Sequence, residues 1–331
     1  MRVLVTGGSG FLGGWLTRRL VEEGHSVRVL LRNPEDIADL GDASHRMAIE
    51  SVYGDITNSQ SVLDACRGVD SVFHLAGLIA YSKAQRPAMN TVNIGGTQNV
   101  VDACIAAGVR RLLHLSSVTA VGASFDKSPL NENSPYNIGH LNLGYFETKH
   151  QAEMLVKSAV TSGKLDAVMI NPSTIYGPGD AKKGSRSTQL KVARGTFPFY
   201  TSGGVSVVAV EDAIDCIIAA WKNGRSGERY IVSGENLLIK ELFTLIADAA
   251  GVKPPAIYLP NVLVKSIGKV GDALESLGSK GPLNSENAWS SILYHWFDNS
   301  KARRELGLNP KPASYAIGQS VKWMKDNGLL E

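Results

Sequence analysis

Three residues of this 331-residue chain have the types and spacing of a proton-transfer site. Tyr145 and Lys149 are four apart in Tyr145-Phe-Glu-Thr-Lys149. A helix over 145–160 would stack them about one turn apart on one face. A tyrosine hydroxyl titrates near ~10, too high for a useful base at neutral pH. A neighbouring ammonium favours the phenolate and brings that value down, so the pair is a candidate general acid/base. Ser117, in Ser116-Ser117-Val118 at a strand end, is placed to hold a substrate oxygen while Tyr145 exchanges its proton. Tyr-x-x-x-Lys alone occurs by chance on many helices, so the reading needs a second feature.

That feature is at the N-terminus. Arg2–Thr6 reads as a strand and Phe11–Val21 as a helix, joined by Thr6-Gly7-Gly8-Ser9-Gly10-Phe11-Leu12-Gly13. Side chains at Gly7, Gly10 and Gly13 would block the tight turn, the approach of a phosphate and the contact of helix on strand. The helix N-terminus offers free N–H groups and partial positive charge to a dinucleotide's pyrophosphate. The spacing is Gly-x-x-Gly-x-x-Gly, and the competing reading is a plain tight turn.

The elements that must carry these residues alternate. Strand-like runs fall at Arg2–Thr6, Val27–Leu31, Ile49–Tyr53, Ser71–Ala76, Arg111–Ser116 and Asp166–Asn171. Between them Gln60–Cys66, Asn90–Ala107 and Tyr145–Val160 carry apolar residues at three- and four-residue spacing. The expected fold class is α/β, a Rossmann-type doubly wound parallel sheet with helices on both faces. After Asn171 the pattern breaks into turns. Val205–Val210 and Arg229–Val232 read as returning strands around a helix at Glu211–Lys222, and from Glu235 the chain is mainly helical. The expected division is a dinucleotide domain of 1–171 plus about 205–234, and a smaller, mostly helical substrate lobe of about 172–204 plus 235–331. Within that lobe 262–277 is amphipathic, and such a stretch packs on its own domain, covers a pocket or touches a membrane.

Composition sets bounds. With 44% hydrophobic and 20% charged residues the chain reads as an ordinary globular enzyme, and a net charge of +3 gives no argument for nucleic acid. Cys66, Cys104 and Cys216 lie far apart in apolar contexts, without metal spacing, and read as buried thiols of a reducing compartment. No signal peptide, membrane span or metal site is expected, and the expected location is the cytoplasm.

Thr6-Gly-Gly-Ser-Gly-Phe-Leu-Gly13, Gly54-Asp55, His74-Leu-Ala-Gly77, Asn93, Ser116-Ser117 and the Tyr145/Lys149 pair together resemble an extended short-chain dehydrogenase/reductase, of the NAD-dependent epimerase/dehydratase superfamily. Pro172 to Gly179, with Tyr176-Gly-Pro-Gly179, is similar to the family's later signature. The resemblance implies hydride transfer between a nicotinamide and a carbonyl or alcohol carbon. It implies Tyr145 as general acid/base, Lys149 as ligand of the nicotinamide ribose that also tunes Tyr145, and Ser117 as the residue orienting the substrate oxygen. Thr6, Gly7, Gly10, Phe11, Leu12 and Gly13 would hold the dinucleotide. Asp55 and Ile56 would flank the adenine, Ala76 and Gly77 would line the adenosine side, and Pro172, Ser173 and Thr174 would lie near the nicotinamide. Blander readings stand beside these: Asp55 as the cap of the next helix, His74 as a packed core residue, Asn93 as a hydrogen-bonding residue of its helix.

The second strand bears on the cofactor. An acid about 20 residues after the glycine loop usually holds the ribose hydroxyls of NAD. Here the strand ends Leu30-Leu31-Arg32-Asn33-Pro34, and Arg32 suits a 2′-phosphate, with a solvated arginine as the alternative. NADP(H) is expected over NAD(H). Arg32-Asn-Pro34, the serine pair, Asn171-Pro-Ser-Thr and Gly227–Asn236 resemble the dihydroflavonol-4-reductase-like branch. The resulting expectation is a reductase of a small hydrophobic ketone, monomeric or homodimeric. Its rivals are an NDP-sugar 4-epimerase with tightly bound NAD and a non-catalytic NADP-binding redox sensor. Phe197-Pro-Phe-Tyr200 offers either an aromatic wall to substrate or core packing for the lobe, while Lys182, Lys183, Arg186, Lys191 and Arg194 are possible partners of a sugar nucleotide's pyrophosphate.

Overall fold

The computed structural model describes residues 1–181, 186–278 and 283–331. Its first half alternates strand and helix where the apolar runs predict. β1 (Arg2–Thr6), α1 (Phe11–Glu22), β2 (Ser26–Leu31), α2 (Ala43–Met47) and β3 (Ile49–Tyr53) are followed by α3 (Ser59–Cys66) and β4 (Ser71–His74). α4 (Arg86–Met89) and α5 (Gly96–Ala106) are joined by a π-helical turn over Asn90–Gly95, and β5 (Arg111–Leu115) comes next. α6 (Gly144–Thr161) then leads to β6 (Ala167–Pro172).

Beyond Pro172 the elements shorten: β7 (Thr174–Tyr176), α7 (Ser187–Ala193), β8 (Phe199–Tyr200), β9 (Gly204–Ala209), α8 (Val210–Asn223), β10 (Arg229–Val232) and β11 (Glu235–Leu238). The remainder is α9 (Ile239–Ala250), β12 (Ile257–Tyr258), α10 (Asn261–Ser276), α11 (Ser285–Ile292), β13 (Tyr294–His295), α12 (Ser300–Leu306) and α13 (Ala313–Asp326).

Seven strands form one parallel sheet in the order β10-β6-β5-β4-β1-β2-β3. Both faces are covered, which explains the continuous apolar runs. Val3 and Val5 of β1 pack with Leu16 of α1 and Ile217 of α8. Leu4, pointing the other way, packs with Val62 of α3 and Val100 of α5. The strand order reverses between β1 and β4, and the crevice at their carboxyl ends is where such sheets bind ligands.

A second sheet holds β11, β9, β13 and β7. The strand expected at 205–210 is present as β9, but it joins this small sheet, not the large one. β6 ends at Pro172, and β7 peels away from it to pair in parallel with β9 (Thr174 opposite Val207). α8 and β10 return to the large sheet, β10 beside β6. The amphipathic α10 packs on α11 through its small and buried residues Val264, Gly268 and Gly271. It leaves Val262 and Leu277 about four-fifths exposed (79% and 80%). Among the described residues no helix is long and apolar enough to cross a membrane, and no cluster of His, Cys, Asp or Glu could hold a metal ion.

Candidate active site

Parallel strands put the residues that follow them on one rim, and nearly all the expected site residues lie there. Thr6 closes β1, fully buried, with Oγ1 2.8 Å from Nδ1 of His74 at the end of β4. The same Oγ1 accepts the Ala76 N–H at 3.3 Å. Gly7 (φ 73°) crosses so close to this second loop that a Cβ would come within 2.6 Å of Ala76 N. A Cβ on Gly13 would collide with the Gly7 carbonyl and come within 2.7 Å of the Gly8 Cα. Helix α1 opens at Phe11 and Leu12 with Gly10 as its N-cap, a residue with no side chain to cap the first N–H groups. Those amides and the glycine cradle fit a dinucleotide pyrophosphate.

Arg32 stands exposed just past β2. The nearby Asp36 carboxylate accepts the Asn33 N–H at 3.2 Å, so no acid occupies the strand tip itself. Asp55 follows β3 and accepts from Thr57 N and Oγ1, both at 2.8 Å. It stabilises its own turn, while the cap of α3 is Asn58, accepting from Ser61 N at 3.1 Å. Ile56 is buried in the core, touching α5 so closely that Gly96 has no room for a Cβ. Gly77 faces α6: a Cβ there would lie 3.6 Å from Lys149 Nζ. Pro172 ends β6, and Ser173 and Thr174 make the turn into β7 on the same rim. The Ser173 hydroxyl is buried with no hydrogen-bond partner among the described residues.

Tyr145 and Lys149 stand one turn apart on α6, both buried (7% exposed). Burial, and then the neighbouring Tyr81, push the Tyr145 pKa well up, outweighing the nearby Ser117 hydroxyl, which favours the phenolate. The expected lowering by Lys149 is therefore not found in the protein alone. The Lys149 Nζ is turned to the Leu115 carbonyl at 2.9 Å, and burial pulls its own pKa down to about 8. A phenol kept protonated is the form that can deliver a proton to a developing alkoxide.

His74 is a core residue, as its place on a buried strand suggested. It bridges Thr6 and Thr97 (Nε2 to Oγ1 3.1 Å), and burial lowers its pKa to about 3. Asn93 lies in the π-helical turn. Its Oδ1 accepts from Leu78 N at 2.7 Å, and its Nδ2 donates to Leu78 O and to Thr148 Oγ1 of α6. It thereby fixes the loop after β4 against α6.

The structure adds residues that sequence reasoning missed. The wall around Tyr145 is formed by Met89, Ile138, Leu143 and Leu293, with Tyr81 and Trp289 at its edge. Phe197 packs on Phe243 and, with Tyr200, lies against the lobe core, so of the two readings of Phe197-Pro-Phe-Tyr200 these two rings follow core packing. Glu286 of α11, buried, pairs with Arg86 at 2.8 Å and accepts the Gly144 N–H at 3.3 Å, capping the helix that carries Tyr145. No local pattern marks Glu286, because its partners are 142 and 200 residues away.

A parallel sheet with a glycine cradle at its reversal point, and Ser, Tyr and Lys grouped on the same rim, define an extended short-chain dehydrogenase/reductase. Residues 4–242 match the model of the 3-beta hydroxysteroid dehydrogenase/isomerase family, and the chain belongs to that family. It is 32% identical to sterol demethylase protein B of Methylococcus capsulatus, over 100% of both chains. It is 29% identical to a putative dihydroflavonol 4-reductase of Synechocystis, over 99% of this chain and 95% of that one. The solved structure of gox2253 superposes with a TM-score of 0.86 at 31% identity, covering 99% of each chain. The family is named for a dehydrogenase and the Synechocystis relative for a reductase, and a dehydratase structure and two epimerase structures that superpose on the chain at 20–23% identity share its fold.

Proposed function

We propose that the chain is an NADP(H)-dependent carbonyl reductase/alcohol dehydrogenase acting reversibly on a small hydrophobic ketone or alcohol. The observation that carries this reading is a buried Tyr145, one helical turn from a buried Lys149 and beside Ser117, within an apolar cluster. A bound nicotinamide would supply the hydride or take it up. In the reductive direction Ser117 orients the substrate oxygen, and the Tyr145 hydroxyl gives its proton to the alkoxide that forms there. Lys149 uses one of its three N–H donors on Leu115, leaving two for ribose hydroxyls. The apolar residues around Tyr145 exclude water and suit an apolar, ring-bearing substrate.

Arg32 supports NADP(H), since its guanidinium is exposed at the tip of β2, where NAD enzymes carry an acid. The epimerase reading has less support. Arg186 is paired with Asp180 at 3.4 Å and lies over the Tyr176 ring, and Arg194 is bonded to the Leu329 carbonyl, so these two are engaged within the chain, while Lys191 is exposed. Lys182 and Lys183 lie outside the described residues. A cytoplasmic location, a monomer or homodimer, and no nucleic-acid partner complete the proposal.

The test is to incubate the purified protein with NADPH, or with NADH, and a panel of aromatic ketones, dihydroflavonols, steroids and UDP-sugars. Net oxidation of NADPH by a ketone is expected. Epimerised sugar without net oxidation would replace the reductase by an epimerase, and no turnover of any kind would favour a sensor. Arg32→Ala should weaken NADPH binding about tenfold or more, the scale of one charge-assisted contact, and NADH binding far less. Equal losses would refute the NADP(H) preference.

A further inference from the structure

Helix α6 carries Tyr145, Lys149 and Glu153 at intervals of four, so the three side chains share one face that runs down against the sheet. Glu153 is fully buried. One carboxylate oxygen pairs with Arg229 Nη2, from β10, at 2.7 Å. The other accepts from Ser116 Oγ at 2.5 Å and from Asn171 Nδ2 at 2.6 Å. Asn171 Nδ2 also donates to the Ser117 carbonyl at 2.9 Å, and Lys149 Nζ donates to the Leu115 carbonyl at 2.9 Å.

Leu115, Ser116 and Ser117 are consecutive at the carboxyl end of β5. Each is gripped by a different member of the set Lys149, Glu153 and Asn171. The hydroxyl that meets Tyr145 is thus held from below by a carboxylate that touches neither substrate nor cofactor. A carboxylate this deep is unfavourable unless paired and hydrogen-bonded, and replacing such a pair by apolar residues often leaves stability unchanged or improved. Packing alone therefore gives no reason for its charge.

We propose that Glu153 is a positioning residue of the active site: it fixes Ser117 through Ser116 and Asn171, and its charge keeps Lys149 an ammonium, with Arg229 as the counterion that limits that charge. The proposal rests on the reading of Ser117 and Lys149 as working residues. Burial pulls the Lys149 pKa down to about 8, and the Glu153 charge opposes that pull. Among the described residues, the other titratable groups around Lys149 are His74 of β4, His114 of β5 and Tyr145 on its own helix. All are neutral near pH 8: burial holds His74 at about 3, His114 well below its usual value, and Tyr145 above its own. Glu153 is the negative charge acting on this lysine.

The test follows the Lys149 resonance by NMR in the full chain labelled with ε-13C-lysine, assigned as the signal lost in Lys149→Met. Glu153→Gln keeps the acceptor for Ser116 and Asn171 but removes the charge, and the titration midpoint of Lys149 should fall by about one pH unit. Arg229→Gln frees the carboxylate from its counterion, and the midpoint should rise by about half a unit. Glu153→Asp keeps the charge with a shorter reach, so the midpoint should stay near that of the parent while kcat falls about tenfold. Loosened packing would move the first two variants in the same direction. Midpoints that do not move, or that move together, overturn the proposal. If Glu153→Gln does not fold, the Arg229→Gln titration decides alone. These titrations need no substrate, so a failed reductase assay would count against the proposed function and leave this result standing.

Discussion

At the scale of the residue, burial decides how the proposed catalytic group would work. Burial raises the Tyr145 pKa, so in the proposed reaction it would be a proton donor first, and a base only once an oxidisable alcohol and a bound dinucleotide change its surroundings. Tyr145→Phe removes a hydroxyl from an apolar wall, so it should lower kcat at least about a thousandfold while leaving NADPH affinity within about threefold. Cofactor affinity comes from fluorescence titration, and retained turnover would exclude Tyr145 as the acid. Ser117, Tyr145 and Lys149 were legible in the sequence because a helix period and a strand end are local signals. The direction of the tyrosine shift was not. It depends on Tyr81 and on the cover of Met89 and Leu293, contributed by two distant stretches of chain, with Leu143 at the start of its own helix. Glu153 had a legible signal in the next step of four beyond Lys149, but its meaning required Asn171 and Arg229 in space.

At the scale of the element, the parallel strands and the glycine loop fix where everything else stands. The first six strands were legible to within a residue or two because strands buried on both faces read as unbroken apolar runs between helical repeats. The second sheet was not, since its strands of two to six residues carry too little pattern, and the pairing of β9 with β7 depends on how the chain leaves Pro172. The contact of α1 on the β1 loop leads to a sharp expectation. Gly13→Ala drives a methyl group into the Gly7 carbonyl, so the loop must open. The cost should be about 1–3 kcal/mol of stability, read from denaturant midpoints, with NADPH affinity falling by at least about tenfold. Gly24→Ala, at a positive φ of 78° but with nothing within 4 Å of the added methyl, should cost stability without touching cofactor affinity.

At the scale of the whole molecule, the interior is tuned against protons. His74 titrates at about 3 and His295 at about 4, while His114 is held well below its usual range, all by burial. Unfolded histidines bind protons below about 6.5, and these three do not while folded, so the unfolded state gains protons as pH falls. Stability is fully present above pH 6.5 and is lost below it, by about 2 kcal/mol per histidine at pH 5. Melting temperatures recorded from pH 8 to pH 5 should fall steeply below 6.5, and a flat profile would rule this out. His114→Leu should flatten the acid limb, because neither ring nitrogen has a partner among the described residues.

The cap that Glu286 places on Gly144 has a consequence for descent. Residues on the strand rim, from Thr6 to Thr174, come before α10 and α11 in the chain, so substitutions in those helices leave the rim's own residues unchanged. The Arg86–Glu286–Gly144 contact is a stitch across that seam. A lineage that exchanges these helices must carry this stitch along or replace it, and lineages that kept the rim but lost the stitch should show compensating changes at Arg86.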